Sequence, residues 1–365
     1  MDLPTGLVYN SIVSYFYHSG GNTMNHKERI DAVMNHQPVD RTPFALVDGG
    51  AWVSKNENLS YRELYHLPDN GASLIVKHME EFDTDLISGV NGAFTAPLNA
   101  FGSPIDIDHP GNPVNTKSYI KDLEAEVARL ESIDIRETLL ANDYFQCMLG
   151  QCENIKKLAG DDKYLIVDIA GPFTNACVMR ETELFMLDIM KNKELAIKLL
   201  DIGTEICINV LQLLRERGAD IAFIAEPCSS GTMISPKMFK DWVIPRLKQV
   251  MDATDFKYYI CHVCGGSGKR VKPLMEAGFN AFSCDYAVDL DQALIDADGK
   301  MVIYGNINPA GAMLFDEPED VYKEAEERIR TAAGRGYIMA PGCDMVCDAP
   351  FDNVMAMPKA CKELV

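Results

Sequence analysis

Tyr258-Tyr259-Ile260-Cys261-His262-Val263-Cys264-Gly265-Gly266 reads as a β-strand that delivers an imidazole and a thiol and then stops at glycine. Side chains alternate along a strand, so His262 and Cys264 leave the same face. Apolar runs of the same kind recur on both sides of this one. Before it stand Phe44–Val47, Asp85–Val90, Tyr164–Ala170 and Ile221–Ala225; after it stand Ala281–Cys284, Met301–Asn306 and Tyr337–Ala340. Amphipathic helical stretches separate them, among them 24–36, 71–82, 181–217, 236–254, 289–297 and 318–333, and a last one spans 351–363. Eight such strands alternating with helices, without a repeat or low-complexity linker, predict a single (β/α)8 TIM barrel of the α/β class. A doubly wound open sheet is the competing arrangement. The position of the polar residues favours the barrel. Glu226, His262, Cys264, Asp285, Asn306 and Cys343 all stand at strand C-terminal ends, which a barrel gathers around one mouth.

His262 and Cys264 are two good zinc ligands, and the turn Pro341-Gly342-Cys343 offers a third, 79 residues beyond Cys264. Three protein ligands leave the fourth tetrahedral position open, as in a catalytic zinc site. The competing reading makes them buried core residues, because a free thiol packs as a small hydrophobe. Cys177, Cys207 and Cys284 lie inside apolar runs and read that way. Asp285 is a candidate for the fourth position when no substrate is bound, since carboxylate oxygen yields to an incoming thiolate. Glu226 reads as a partner of a metal ligand, a metal ligand itself or a proton carrier, or as an inert strand end. Gly265-Gly266-Ser267-Gly268-Lys269 is not a phosphate loop: the first glycine of GxxxxGK[ST] would fall on Val263, and Arg270 holds the final position. The backbone of Gly265 and Gly266 could still hold an anionic substrate group at a helix start. His26, His36 and His66 read as surface residues.

The chain has 365 residues and a formal charge of −20, which argues against nucleic acid as a partner. Eleven cysteines at irregular spacing suggest no disulfide framework and fit a reducing, anaerobe-like cytoplasm. No apolar run has the roughly 20 residues that span a bilayer. Residues 1–23 lack a signal-peptide pattern and read as an N-terminal extension, with the barrel over 24–365. The Gly/Pro/Asn-rich loop over 91–118 is long enough to be functional.

The segment His26-Lys27-Glu28-Arg29 with Pro38-Val39-Asp40-Arg41-Thr42-Pro43, Gly171-Pro172-Phe173-Thr174 and Gly305-Asn306-Ile307-Asn308-Pro309 resembles the uroporphyrinogen decarboxylase superfamily, from about residue 24 to the C-terminus. That resemblance implies a single (β/α)8 barrel. The decarboxylases carry an arginine-rich clamp after the first strand, but this chain has Val47-Asp48-Gly49-Gly50-Ala51-Trp52 there, which speaks against porphyrinogen decarboxylation. The His-x-Cys…Cys pattern is similar to the cobamide-dependent methyltransferase branch. In that branch the corresponding residues, here His262, Cys264 and Cys343, bind zinc, and an acidic residue matches Asp285.

The resemblance implies methyl transfer between a methyl-Co(III) corrinoid on a carrier protein and a zinc-activated acceptor, either a thiol like coenzyme M or tetrahydrofolate. The 91–118 loop is then a docking element for the carrier. The alternative within enzymes is an O-demethylase or methanol- or methylamine-type methyltransferase, feeding cob(I)alamin from a small donor. Outside enzymes, it is a barrel whose zinc is structural or absent. The expected protein is a cytoplasmic monomer or homodimer.

Overall fold

The computed structural model describes residues 23–47, 49–66, 68–90, 96–115 and 119–364. The expectations for residues 1–22, for Asp48, for 91–95 and 116–118 of the long loop, and for the His66 side chain lie outside these. Seven strands form one parallel sheet in chain order: β1 (Leu86–Val90), β2 (Tyr164–Ala170), β3 (Ile221–Ala225), β4 (Tyr258–Val263), β5 (Ala281–Cys284), β6 (Val302–Ile307) and β7 (Tyr337–Pro341). Their near-continuous apolar sequences follow from burial on both faces. One parity, including Ile166, Phe223, Ile260, Tyr304 and Ile338, fills the lumen. The other, including Val167, Ile224, Cys261, Phe282 and Ile303, packs under the helices.

Phe44–Val47 takes the eighth place, as a bridge instead of a full strand. Phe44 pairs in parallel with Met339 of β7, and the Asp85 amide at the start of β1 donates to the Phe44 carbonyl at 2.7 Å. The segment thus touches both edges of the sheet and closes the barrel. Asp85 itself makes the closure firm. Its fully buried carboxylate accepts from the Phe44 amide (2.8 Å), His26 Nδ1 (2.8 Å), Arg29 Nη1 (2.6 Å) and Arg41 Nη1 (2.8 Å). Helix His26–Met34, which has an Asn25–Glu28 capping box, is anchored there. His26 is accordingly half-buried with its Nδ1 against Asp85, contrary to the surface reading; His36 is exposed as expected.

The stretch expected as one helix over 181–217 is two, Thr182–Lys191 and Lys193–Glu216, preceded by a further helix over Pro172–Arg180. The breaks fall at Glu181, whose φ is 80°, and at Asn192, not at Gly203. Gly203 lies inside Lys193–Glu216 and is needed for close packing there: a Cβ would stand 2.7 Å from the Pro172 carbonyl oxygen. Short helices Gly49–Asn56 and Tyr61–His66 were not foreseen. Within the long loop, Ile105–Asp106 and Val114–Asn115 pair as a small antiparallel hairpin. No helix among the described residues is long and apolar enough to cross a membrane.

Candidate metal centre

β4 places His262 in the lumen face of the sheet, where the ring is 2% exposed and stacks on Phe223 (centroids 5.8 Å apart, planes 19° apart). One face-equivalent position later, just past the strand, comes Cys264. Its sulfur lies 3.1 Å from His262 Nε2 and 3.7 Å from Cys343 Sγ. The turn bearing Cys343 follows β7, and a glycine is required in it: a Cβ on Gly342 would stand 2.5 Å from the Tyr286 amide nitrogen. The ligand atoms of His262, Cys264 and Cys343 all lie within 4.8 Å of one another.

These distances fit one tetrahedral ion. Two sulfurs each about 2.3 Å from zinc stand about 3.8 Å apart at a tetrahedral angle, and an imidazole nitrogen stands about 3.6 Å from each. The sulfur pair already has the right spacing, and the ring needs a retreat of a few tenths of an ångström. Without a cation the trio competes for protons. The hydrogen bond to Cys264, and then burial, hold the Cys343 thiol well above its usual range. Burial lowers the His262 pKa, but the hydrogen bond and charge of Cys343 outweigh it and raise it. A divalent cation removes that competition by deprotonating the thiols.

The remaining candidates are not gathered into this trio. Asp285 is 7% exposed, and its Oδ1 accepts from the Ala287 amide at 2.8 Å, which closes a local turn at the end of β5. Asn306 donates Nδ2 to the carbonyls of Asp285 (3.1 Å) and Val288 (2.9 Å), so it braces that turn. Gly265 has φ +65°, and the Gly266 carbonyl oxygen lies 2.3 Å from where a Cβ on Gly231 would be. The glycine turn therefore leans on the 229–234 loop. The helix it leads to is only a 3-10 turn (Gly268–Arg270) followed by Val271–Ala277. Arg270, 1% exposed, locks the two loops together by donating to the carbonyls of Ser229, Ser230 and Ile234.

Glu226 has the opposite parity to the lumen residue Ala225 and faces the helix layer. Its fully buried carboxylate accepts from the Phe173 amide (2.9 Å), the Thr174 amide (2.9 Å) and Thr174 Oγ1 (2.8 Å). It thus caps helix Pro172–Arg180 from outside, satisfying N-terminal donors that Gly171 has no side chain to meet. Burial raises the pKa of Glu226 to about 8 against these donors. An acid raised in the folded state costs stability as pH climbs from its unfolded value to its folded one. At low pH, where the wild-type carboxyl is protonated, Glu226→Gln should lose about 1–2 kcal/mol through its disturbed cap, a deficit that shrinks as pH rises toward 8. It should also abolish a decline in wild-type stability between about pH 5 and 8, read from paired melting curves. Parallel curves for the two proteins across that range would contradict this.

Two participants escaped the sequence: Phe223 and Ser283. Ser283 is fully buried on β5, with Oγ 3.0 Å from His262 Nδ1. Only the β4–β5 register, which pairs His262 with Ser283, makes them neighbours.

The family model described as uroporphyrinogen decarboxylase (URO-D) matches residues 25–364. Among curated proteins the chain is similar to methylcobamide:CoM methyltransferase MtbA of Methanosarcina acetivorans, 23% identical over 92% of this chain and 97% of that one. It is also similar to methylcobamide:CoM methyltransferase MtaA of Methanosarcina barkeri, 26% identical over 92% and 96%. A uroporphyrinogen decarboxylase of Synechococcus sp. is 22% identical over 90% and 94%. Among solved structures, a methyltransferase from Methanosarcina mazei superposes with a TM-score of 0.82 at 23% identity, over 93% of this chain and 99% of that one; the likeness establishes the barrel fold.

Proposed function

The chain belongs to the uroporphyrinogen decarboxylase family, and from that premise we propose that it is a zinc- and corrinoid-dependent methyltransferase. It takes the methyl group from a methyl-Co(III) corrinoid, presented by a carrier protein, to a small thiol. The observation that carries this reading is the His262–Cys264–Cys343 trio, with its 3.7 Å sulfur pair at the mouth end of the barrel. The relatives named methylcobamide:CoM methyltransferases support the reaction class. Decarboxylation is disfavoured because residues 44–56 hold no arginine, and Lys55 is their one cation.

Zinc held by this trio supplies Lewis acidity that keeps an acceptor thiol deprotonated at neutral pH, where a free thiol of pKa near 8.5 is only a few per cent thiolate. The rest falls to the chain. His262, Cys264 and Cys343 would hold the ion at the C-terminal ends of the strands. Asp285 and Asn306 fix the turn against which the Cys343 loop rests. In the transfer the acceptor sulfur bonds to the methyl carbon, and the Co–C pair stays on cobalt as Co(I). Raising the thiolate from a few per cent to full population is worth only about 2 kcal/mol. Alignment of sulfur, methyl and cobalt must contribute the larger share.

The test is anaerobic demethylation of free methylcobalamin by a small thiol, followed by the Co(I) spectrum. Wild-type protein should accelerate it, and a zinc chelator should remove the acceleration. Zinc-loaded protein with no thiol-dependent acceleration would overturn the thiol direction.

A further inference from the structure

We propose that Ser283 is a positioning residue that fixes the tautomer and orientation of His262, so that Nε2 is permanently turned toward the metal. This deepens the metal reading of the preceding section and rests on it. The imidazole has two nitrogens with different neighbours. Nε2 faces sulfur, 3.1 Å from Cys264 Sγ, while Nδ1 faces the Ser283 hydroxyl at 3.0 Å. Coordination needs the Nε2 lone pair, which leaves the ring proton on Nδ1, where it donates to Ser283 Oγ. Both residues are buried, so no water replaces this acceptor: Ser283 is 0% exposed and His262 2%.

Phe223 supplies a second restraint of a different kind. Its ring lies nearly parallel to the imidazole, 19° apart, and limits sideways tilt. It cannot tell one tautomer from the other, because an aromatic face accepts either. The hydroxyl can. Adjacent parallel strands in register carry the pair, His262 on β4 opposite Ser283 on β5, so rigid backbone holds their separation. Partners that receive the distal N–H of a metal-bound histidine commonly govern metal affinity by about 10–100-fold.

The experiment compares wild type with Ser283→Ala and Ser283→Thr in the full chain. Zinc affinity is measured by competition with a chromophoric chelator, and the absorption spectrum is recorded after cobalt(II) substitution. Ser283→Ala should bind zinc about 10–100-fold more weakly and show an altered cobalt spectrum. Ser283→Thr, which retains the hydroxyl, should recover most of both. Equal affinity and an unchanged spectrum in Ser283→Ala would overturn the inference, as would equal losses in both variants. Should the variants fold poorly, nitrogen-15 histidine spectra of the zinc-loaded wild type decide: the proton must reside on Nδ1 of His262, and a metal-bound Nδ1 overturns the proposal. Failure of wild type to bind zinc would instead reject the metal reading itself, so the two failures are separable.

Discussion

Cys343→Ala is expected to lower zinc affinity by about 10²–10³-fold and to remove thiol-dependent demethylation with it. Structural zinc sites of four ligands bind with about 10–16 kcal/mol, so each ligand is worth roughly 2.5–4 kcal/mol. On the proposed reading Cys343 joins the last strand to the site, while His262 and Cys264 come from one strand and its turn. Its removal leaves a His-x-Cys pair, which does not define a tetrahedral site. Zinc analysis after gel filtration, beside a Cys147→Ala control on helix 143–159, reads the effect. Zinc retained at the wild-type level by Cys343→Ala would show that the trio is not the metal site.

Asp85→Ala is expected to destabilise the fold by about 3–5 kcal/mol, the cost of removing the buried carboxylate that Arg29 and Arg41 share, with Arg29 keeping only Asp40. The carboxylate is fully buried between Arg29 and Arg41, accepts from His26 Nδ1, and receives the amide of Phe44. Phe44 is the residue that bridges to β7, so the loss acts on the barrel seam. Burial would raise the pKa of Asp85, but His26, Arg41, Arg29 and the Phe44 amide outweigh it and bring it down to about 2. A depressed acid stabilises the fold above its unfolded pKa, near 4, and loses that contribution as pH falls toward 2. Urea denaturation should therefore show the full difference at pH 7 and a shrinking one on acidification. A difference below about 1 kcal/mol at pH 7 would contradict this account, since an exposed pair is worth that much.

The strands were legible because burial on both faces leaves a plain mark: Ile221–Ala225 has no polar residue to hide. The three metal-ligand candidates were legible because His and Cys are unusual at strand ends, and their spacing put two on one face. What escaped depends on contacts between segments distant in sequence. Glu226 stands at a strand end as His262 does, yet its opposite parity sends it to the N-terminus of helix Pro172–Arg180, and nothing local to residue 226 announces that helix. Ser283 gains its meaning only from the β4–β5 register. Phe44–Val47 looked like a full strand because apolarity reports burial, not the number of ladder bonds. The helix breaks at Glu181 and Asn192 lack glycine or proline, the usual punctuation, and follow from how three helices fold over the sheet.

X-ray absorption at the zinc edge of the purified wild type, with and without a small thiol, should show about one zinc per chain bound by two sulfurs and one imidazole nitrogen. A third sulfur at about 2.3 Å should appear when the thiol is added. A chain without zinc, or a zinc whose sulfur count is unmoved by thiol, would contradict this account.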